Sequence, residues 1–275
     1  MGDAVFSLKG IKKNYGSHQV LKSVDMQVNK GDIYGLVGKN GAGKTTLFKV
    51  ILGLSDYQGG KLSILGAKNA HQNALNRRKI GFFVGHNFFD YLSGYENLNY
   101  YRRLKGIRGR KEVNRVLEMV GLSQKAAKME ARAYSLGMKQ RLGIANALLG
   151  DPEVLILDEP TNGLDPQGIA DVRNMITRLN QENGTTVLIS SHILGELEHT
   201  AHRFGIVNEG ILMKELSSAD LQFKTDYTSL EISDEDVEKA KLLLEQNSIN
   251  IHNVSKAATT LEDFYFEMIG GEKNG

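Results

Sequence analysis

Apolar and polar positions change period several times along this chain. Residues 5–37 alternate short apolar stretches with turn formers such as Asn14, Gly16, Ser17 and Asn29, which predicts a strand-rich start. Residues 32–37 form a short apolar run of the kind that builds a buried strand, and residues 46–52 a helix-like stretch ended by Gly53. The pattern is helical from about residue 95 to 150. In residues 112–120 the apolar positions 113, 116, 117 and 120 share one helix face, and Gly121 stops it. Residues 154–157 are again apolar and lead into two acids, with Pro152, Pro160 and Pro166 bracketing the strand and the loop after it. A helix over 167–183, a strand over 185–190, a helix over 192–201 and strands over 203–213 follow. This alternation predicts an α/β fold around a parallel sheet. The last sixty residues read as strand, helix (234–246), strand and helix (260–269), a small α+β unit.

Composition adds limits. With 275 residues, 41% of them hydrophobic and 24% charged, the chain can bury one full core plus an appendage. It has no run of 18 apolar residues, so no bilayer span is expected, and its first residues do not read as a secretory leader. Zero Cys excludes a disulfide framework or a thiolate site, and accords with a reducing compartment. The net charge of +2 says little, but its distribution says more. Residues 1–215 hold 29 Lys and Arg against 20 acids, and residues 216–275 hold 5 against 12. The switch predicts a boundary near 215, with a C-terminal extension over 216–275. Its acidity argues against nucleic acid as a partner. No internal repeat or low-complexity segment occurs.

Between the strand at 32–37 and the helix after it stands Gly38-Lys39-Asn40-Gly41-Ala42-Gly43-Lys44-Thr45, the spacing of a phosphate-binding P-loop, followed by Thr46. Glycines let consecutive N–H groups turn inward around a polyphosphate, and the helix adds its positive N-terminal end. Lys44, expected to be solvated in an empty site, would reach the β- and γ-phosphates, and the Thr45 hydroxyl would ligate Mg²⁺. At the end of the second apolar strand, Asp158 is the candidate Mg²⁺ partner. Glu159, one residue on, is the candidate to polarise a water for in-line attack.

Three further segments complete an order. Tyr134-Ser135-Leu136-Gly137-Met138-Lys139-Gln140-Arg141 opens a helix. Asp158-Glu159-Pro160-Thr161 runs into Asn162-Gly163-Leu164-Asp165, and Ser190-Ser191-His192 follows an apolar strand. Over residues 4–215 the chain resembles the ATP-binding subunit of an ABC transporter. The signature variant, the helical segment and Leu261-Glu262-Asp263-Phe264 are most similar to the bacitracin and lantibiotic-immunity type. The resemblance implies a P-loop ATPase domain with an antiparallel β part, a parallel-sheet core and a helical part over about 86–150. It implies ATP with Mg²⁺, a membrane-spanning permease as partner, and a homodimer or a heterodimer with a related ATPase subunit, at the cytoplasmic face of the membrane. Each ATP would lie between one subunit's P-loop and the other's signature, where Ser135 and Gly137 meet the γ-phosphate. Ser135 would also cap its helix, which is compatible with that role. His192 would contact the γ-phosphate, Asp165 would sit at the dimer seam, and Tyr15 would stack on adenine.

Two departures stand out. Where the family has a Gln or Glu after the strand at 80–84, this chain has Gly85, then His86 and Asn87. Either one of those two takes over beside the metal through a shifted loop, or water does. Leu136 and Met138 replace a Gly and a Gln of the commonest signature. Two other functions compete with a transport motor. A soluble ABC ATPase acting on ribosomes or DNA typically carries two cassettes or a long coiled coil, and this chain shows neither. A nucleotide-gated module with weakened hydrolysis is raised by Gly85 and opposed by Glu159 and His192. The basic cluster Arg102, Arg103, Lys105, Arg108, Arg110, Lys111 and Arg115 reads as a solvated helix surface or a contact for anionic lipid.

Overall fold

The structure, a computed structural model, describes residues 3–85, 87–198, 200–222, 236–247, 249 and 251. Its strands are β1 (Ala4–Tyr15), β2 (His18–Asn29), β3 (Ile33–Val37), β4 (Gly59–Ile64), β5 (Ile80–Phe83), β6 (Val154–Asp158), β7 (Thr186–Ser191), β8 (Arg203–Asn208) and β9 (Ile211–Ser217). The helices are α1 (Lys44–Leu52), α2 (Ala70–Asn76), α3 (Gly94–Leu104), α4 (Lys111–Met119), α5 (Gln124–Ala127), α6 (Leu136–Leu148), α7 (Pro166–Asn183), α8 (Leu194–Glu198), α9 (Ser218–Gln222) and α10 (Val237–Gln246).

The strands form one sheet in the order β4-β1-β2-β9-β8-β3-β7-β6-β5. β1 pairs antiparallel with β2 and β4, while β8, β3, β7, β6 and β5 run parallel. Composition explains the division. The second half of β2 alternates buried and exposed positions, as a half-solvated antiparallel strand does. β3 and β7 are buried at every position because apolar layers cover both of their faces. One layer joins Phe6, Leu8, Ile11 and Val24 of the antiparallel part to Phe48 and Ile51 of α1. The other lies under the helical segment, where Val113, Val116, Leu117 and Val120 bury the predicted face against the core that also holds Leu142, Leu155 and Leu157. Ser93 and Glu96 close a capping box at the start of α3.

Several boundaries differ from expectation. The helix expected from residue 192 starts two residues later, as α8, because the Ser191 hydroxyl accepts from Ile193 N at 2.9 Å and holds a turn ahead of it. β9 runs through the charge switch at 215 to Ser217, and Glu215 accepts from the buried Tyr34 hydroxyl at 2.6 Å. Burial, then that carboxylate, pushes the Tyr34 phenol well above its ordinary pKa. Residue 215 is therefore part of the sheet. The basic cluster is not one solvated face. Arg102 is buried on Asn99 and the Ile107 carbonyl, Lys105 donates to the Asn146 and Leu149 carbonyls, and Arg115 forks onto Glu112. Arg103, Arg108, Arg110 and Lys111 are exposed. Of the expected C-terminal unit, the helix at 234–246 is seen as α10, while the helix at 260–269 and Leu261-Glu262-Asp263-Phe264 lie outside the described residues.

Candidate functional site

Parallel register brings three strand ends level. Val37 of β3 pairs with Ser191 of β7, and Asp158 of β6 pairs with Ser190. The residues at and just after these strand ends meet beyond the carboxyl edge, the position where α/β sheets bind ligands. The loop after β3 is pressed against the sheet, since a Cβ on Gly38 would collide with the Val207 carbonyl. Gly41 and Gly43 take φ of 83° and 110°, which side chains disfavour. Gly43 is the N-cap of α1, and no side chain caps that helix. Its first N–H groups and its dipole are thus left to an anion. Lys39, Asn40 and Gly41 are exposed, Ala42 and Gly43 buried, and Thr46 half-buried.

Lys44 is not solvated. It is 5% exposed, donates to the Gly38 carbonyl at 2.5 Å, and lies 3.1 Å from Glu159 Oε1. That ion pair lies off the hydrogen-bonding axis, and Oε1 has no other partner. The second oxygen, Oε2, accepts from His192 N at 3.3 Å and lies 2.6 Å from His192 Nδ1. A carboxylate only accepts, so Nδ1 carries the proton and Nε2 is left for another partner. Glu159 takes φ of 50°, a left-handed conformation unusual for a side-chain-bearing residue. Beside it, Thr45 Oγ1 donates to Asp158 Oδ2 at 2.6 Å.

This constellation fits a divalent cation with a polyphosphate. Thr45 and Asp158 offer hard oxygen donors next to the glycine loop. The carboxylates of Asp158 and Glu159 outnumber the Lys44 ammonium, so a bound polyphosphate needs a further cation nearby.

The remaining expected residues stand apart. Among the described residues no hydrogen bond or ion pair joins Tyr15, Ser135, Gly137 or Asp165 to Lys44, Thr45, Asp158, Glu159 or His192. Tyr15 is half-exposed, with Lys13 Nζ 4.8 Å from its ring centroid and its hydroxyl 3.3 Å from Ser55 Oγ. Ser135 caps α6 by accepting from Met138 N at 3.3 Å, and Asp165 caps α7 by accepting from Gly168 N at 2.9 Å. A Cβ on Gly137 would sit 3.5 Å from Leu164, so the two capped turns pack together. Arg141 bonds Asp171 at 2.6 Å and ties α6 to α7. The Gln167 and Arg141 hydrogen bonds hold the Asp171 carboxyl below its usual range.

Gly85 has φ of 69° with open space where a side chain would stand. Asn87 reaches back to the Phe82 carbonyl at 3.4 Å, and His86 lies outside the described residues. Two features went unread in the sequence. Ser190 Oγ donates to Asp158 Oδ1 at 2.6 Å and accepts from Glu159 N at 2.9 Å. Glu196 accepts from Thr161 at 2.6 Å and Ser191 at 3.1 Å, binding the loop before Asp165 to the segment after His192. The parallel pairing of two strands that both end in polar residues was the available signal for the first.

The family model described as "ABC transporter" matches residues 21–162. The bacitracin transport ATP-binding protein BcrA of Enterococcus faecalis is 39% identical, over 98% of this chain and 87% of its own length. The lantibiotic transport ATP-binding protein SrtF of Streptococcus pyogenes is 39% identical over 78% of this chain and 93% of its own. Among solved structures, the dimeric bacterial ABC transporter cassette MJ0796 superposes with a TM-score of 0.70 at 26% identity, covering 78% of this chain and 98% of the cassette. Its post-hydrolysis dimer bound to ADP and Pi gives 0.69 at 26%, with the same coverage of both chains.

Proposed function

The chain belongs to the ABC transporter family of ATP-binding subunits, and on that premise we propose that it binds and hydrolyses ATP to drive a separate membrane-spanning permease. The proposed cargo is a peptide antibiotic or similar amphiphile, exported or kept out for resistance; the similarity to a bacitracin transport subunit over 98% of the chain and to a lantibiotic transport subunit over 78% of it supports this. The chain would act at the cytoplasmic face of the membrane, as a homodimer or paired with a related ATPase. Among the described residues no helix is long and apolar enough to cross a membrane.

In this reading Gly38 to Thr46 cradle the phosphates, and Tyr15 stacks on adenine through the face that Lys13 leaves open. Thr45 and Asp158 hold Mg²⁺, which neutralises phosphate charge when bound. Lys44 turns from Glu159 to the β- and γ-phosphates, which leaves Glu159 to take the proton of the attacking water. His192 holds Glu159 in place through Nδ1–H and keeps Nε2 for the γ-phosphate. Ser135, Gly137 and Asp165 act across the dimer seam. The observation that carries the reading is the Glu159 carboxylate, held between Lys44 and His192 next to Asp158. Glu159→Gln is expected to bind Mg-ATP and accumulate as an ATP-dependent dimer. Its turnover should fall about 10²–10⁴-fold, as for loss of a general base. Steady-state hydrolysis and sedimentation with ATP check this, and near wild-type turnover overturns the assignment.

A further inference from the structure

Resting on that reading, we propose that Ser190 is a positioning residue for ATP hydrolysis, its single hydroxyl setting both acids of the site. Ser190 is fully buried at the end of β7, in register with Asp158. It donates to Asp158 Oδ1 at 2.6 Å and accepts from Glu159 N at 2.9 Å. Asp158 is thereby clamped through both oxygens, by Ser190 on one and Thr45 on the other. A carboxylate held this way cannot rotate, so the face it offers to a metal is fixed before the metal arrives. The second bond acts on the backbone. Glu159 leaves the strand at φ of 50°, and its N–H is satisfied by a side chain instead of the sheet ladder. Ser190 pins the residue where the chain turns, and the turn aims the Glu159 carboxylate between Lys44 and His192.

The test uses the purified full-length chain. Removing the hydroxyl in Ser190→Ala is expected to lower kcat about 10–100-fold, the range for loss of a partner orienting a metal ligand. The Mg²⁺ concentration for half-maximal rate should rise several-fold. Affinity for the fluorescent analogue mant-ATP without Mg²⁺ should stay within about twofold, because the cradle is untouched. Ser190→Thr, which keeps the hydroxyl, should recover most of kcat. Thermal unfolding scales each rate to folded protein. Wild-type kcat and Mg²⁺ dependence in Ser190→Ala would overturn the proposal, and so would a Thr variant that folds yet stays as slow as Ala. Should Ser190→Ala fail to fold, Ser190→Cys, a weaker donor of similar size, is read the same way. Hydrolysis by the wild type and its loss in Glu159→Gln are measured alongside, so failure of the ATPase reading shows separately.

Discussion

Lys44 is a buried cation held by the Gly38 and Lys39 carbonyls and by the Glu159 carboxylate, contacts that a phosphate would replace. Lys44→Ala should therefore do two things. ATP affinity should drop at least tenfold by isothermal titration, since the loop loses its one inward-facing charge. The ligand-free protein should also lose about 1–2 kcal/mol, because Glu159 Oε1 keeps a buried position with no counter-charge. Adding Glu159→Gln to Lys44→Ala should restore part of that loss in thermal unfolding; a fold indifferent to Lys44→Ala would contradict the pairing. The P-loop, Asp158 and Glu159 were legible in sequence because their chemistry demands residue types at fixed local spacing. The burial of Lys44 was not, since it depends on Glu159, 115 positions away in the chain.

Between elements, Glu112 shows what the helical period hides. Glu112 stands in the first turn of α4, its carboxylate accepting two Arg115 bonds at 2.9 and 2.7 Å and the Gly150 N–H at 2.7 Å. One acid thus fastens α4 to the turn that leads into β6 and Asp158. The Arg115 hydrogen bond chiefly holds its carboxyl below the usual range, outweighing burial. A depressed acid contributes stability that is present above its unfolded pKa, about 4.3, and lost as pH falls through the lower folded value. Glu112→Ala should cost about 1–2 kcal/mol at pH 7, after allowing for the partly exposed Arg115. The difference from wild type should shrink as unfolding is measured at pH values falling below 4.3. A gap that persists unchanged in acid would mean packing, not charge, is lost. The face of α4 could be read from its apolar positions. The tying-in of Arg102, Lys105 and Arg115 could not, because a basic side chain's partners lie in other elements. α8 was overread for a related reason: His192 looks helical by period but bonds to Glu159 instead.

At the scale of the whole molecule, strand and helix order as far as Ser217 was legible because apolar runs there matched elements. The end of the last strand was not, since charge marks solvent and Glu215 is spent on Tyr34 inside the sheet, so β9 runs on to Ser217. The dimer poses the sharper question, because Ser135 and Asp165 have local work as helix caps and would have a second task facing a partner. The two can be separated at Ser135. Asp is as good an N-cap as Ser, so Ser135→Asp should keep α6 capped and the monomer's unfolding midpoint within about 2 °C of wild type. The same change places a negative charge where the partner's γ-phosphate is proposed to sit, and like charges at such a seam cost several kcal/mol. In a Glu159→Gln background, Ser135→Asp should therefore bind ATP with near-parental affinity yet sediment as a monomer with or without it. Ser135→Ala should do the reverse in part, weakening the cap by about 1 kcal/mol and loosening the dimer less. An ATP-dependent dimer as tight in Ser135→Asp as in its parent would confine Ser135 to capping and leave the phosphate to be met by Gly137 and the start of α6 alone.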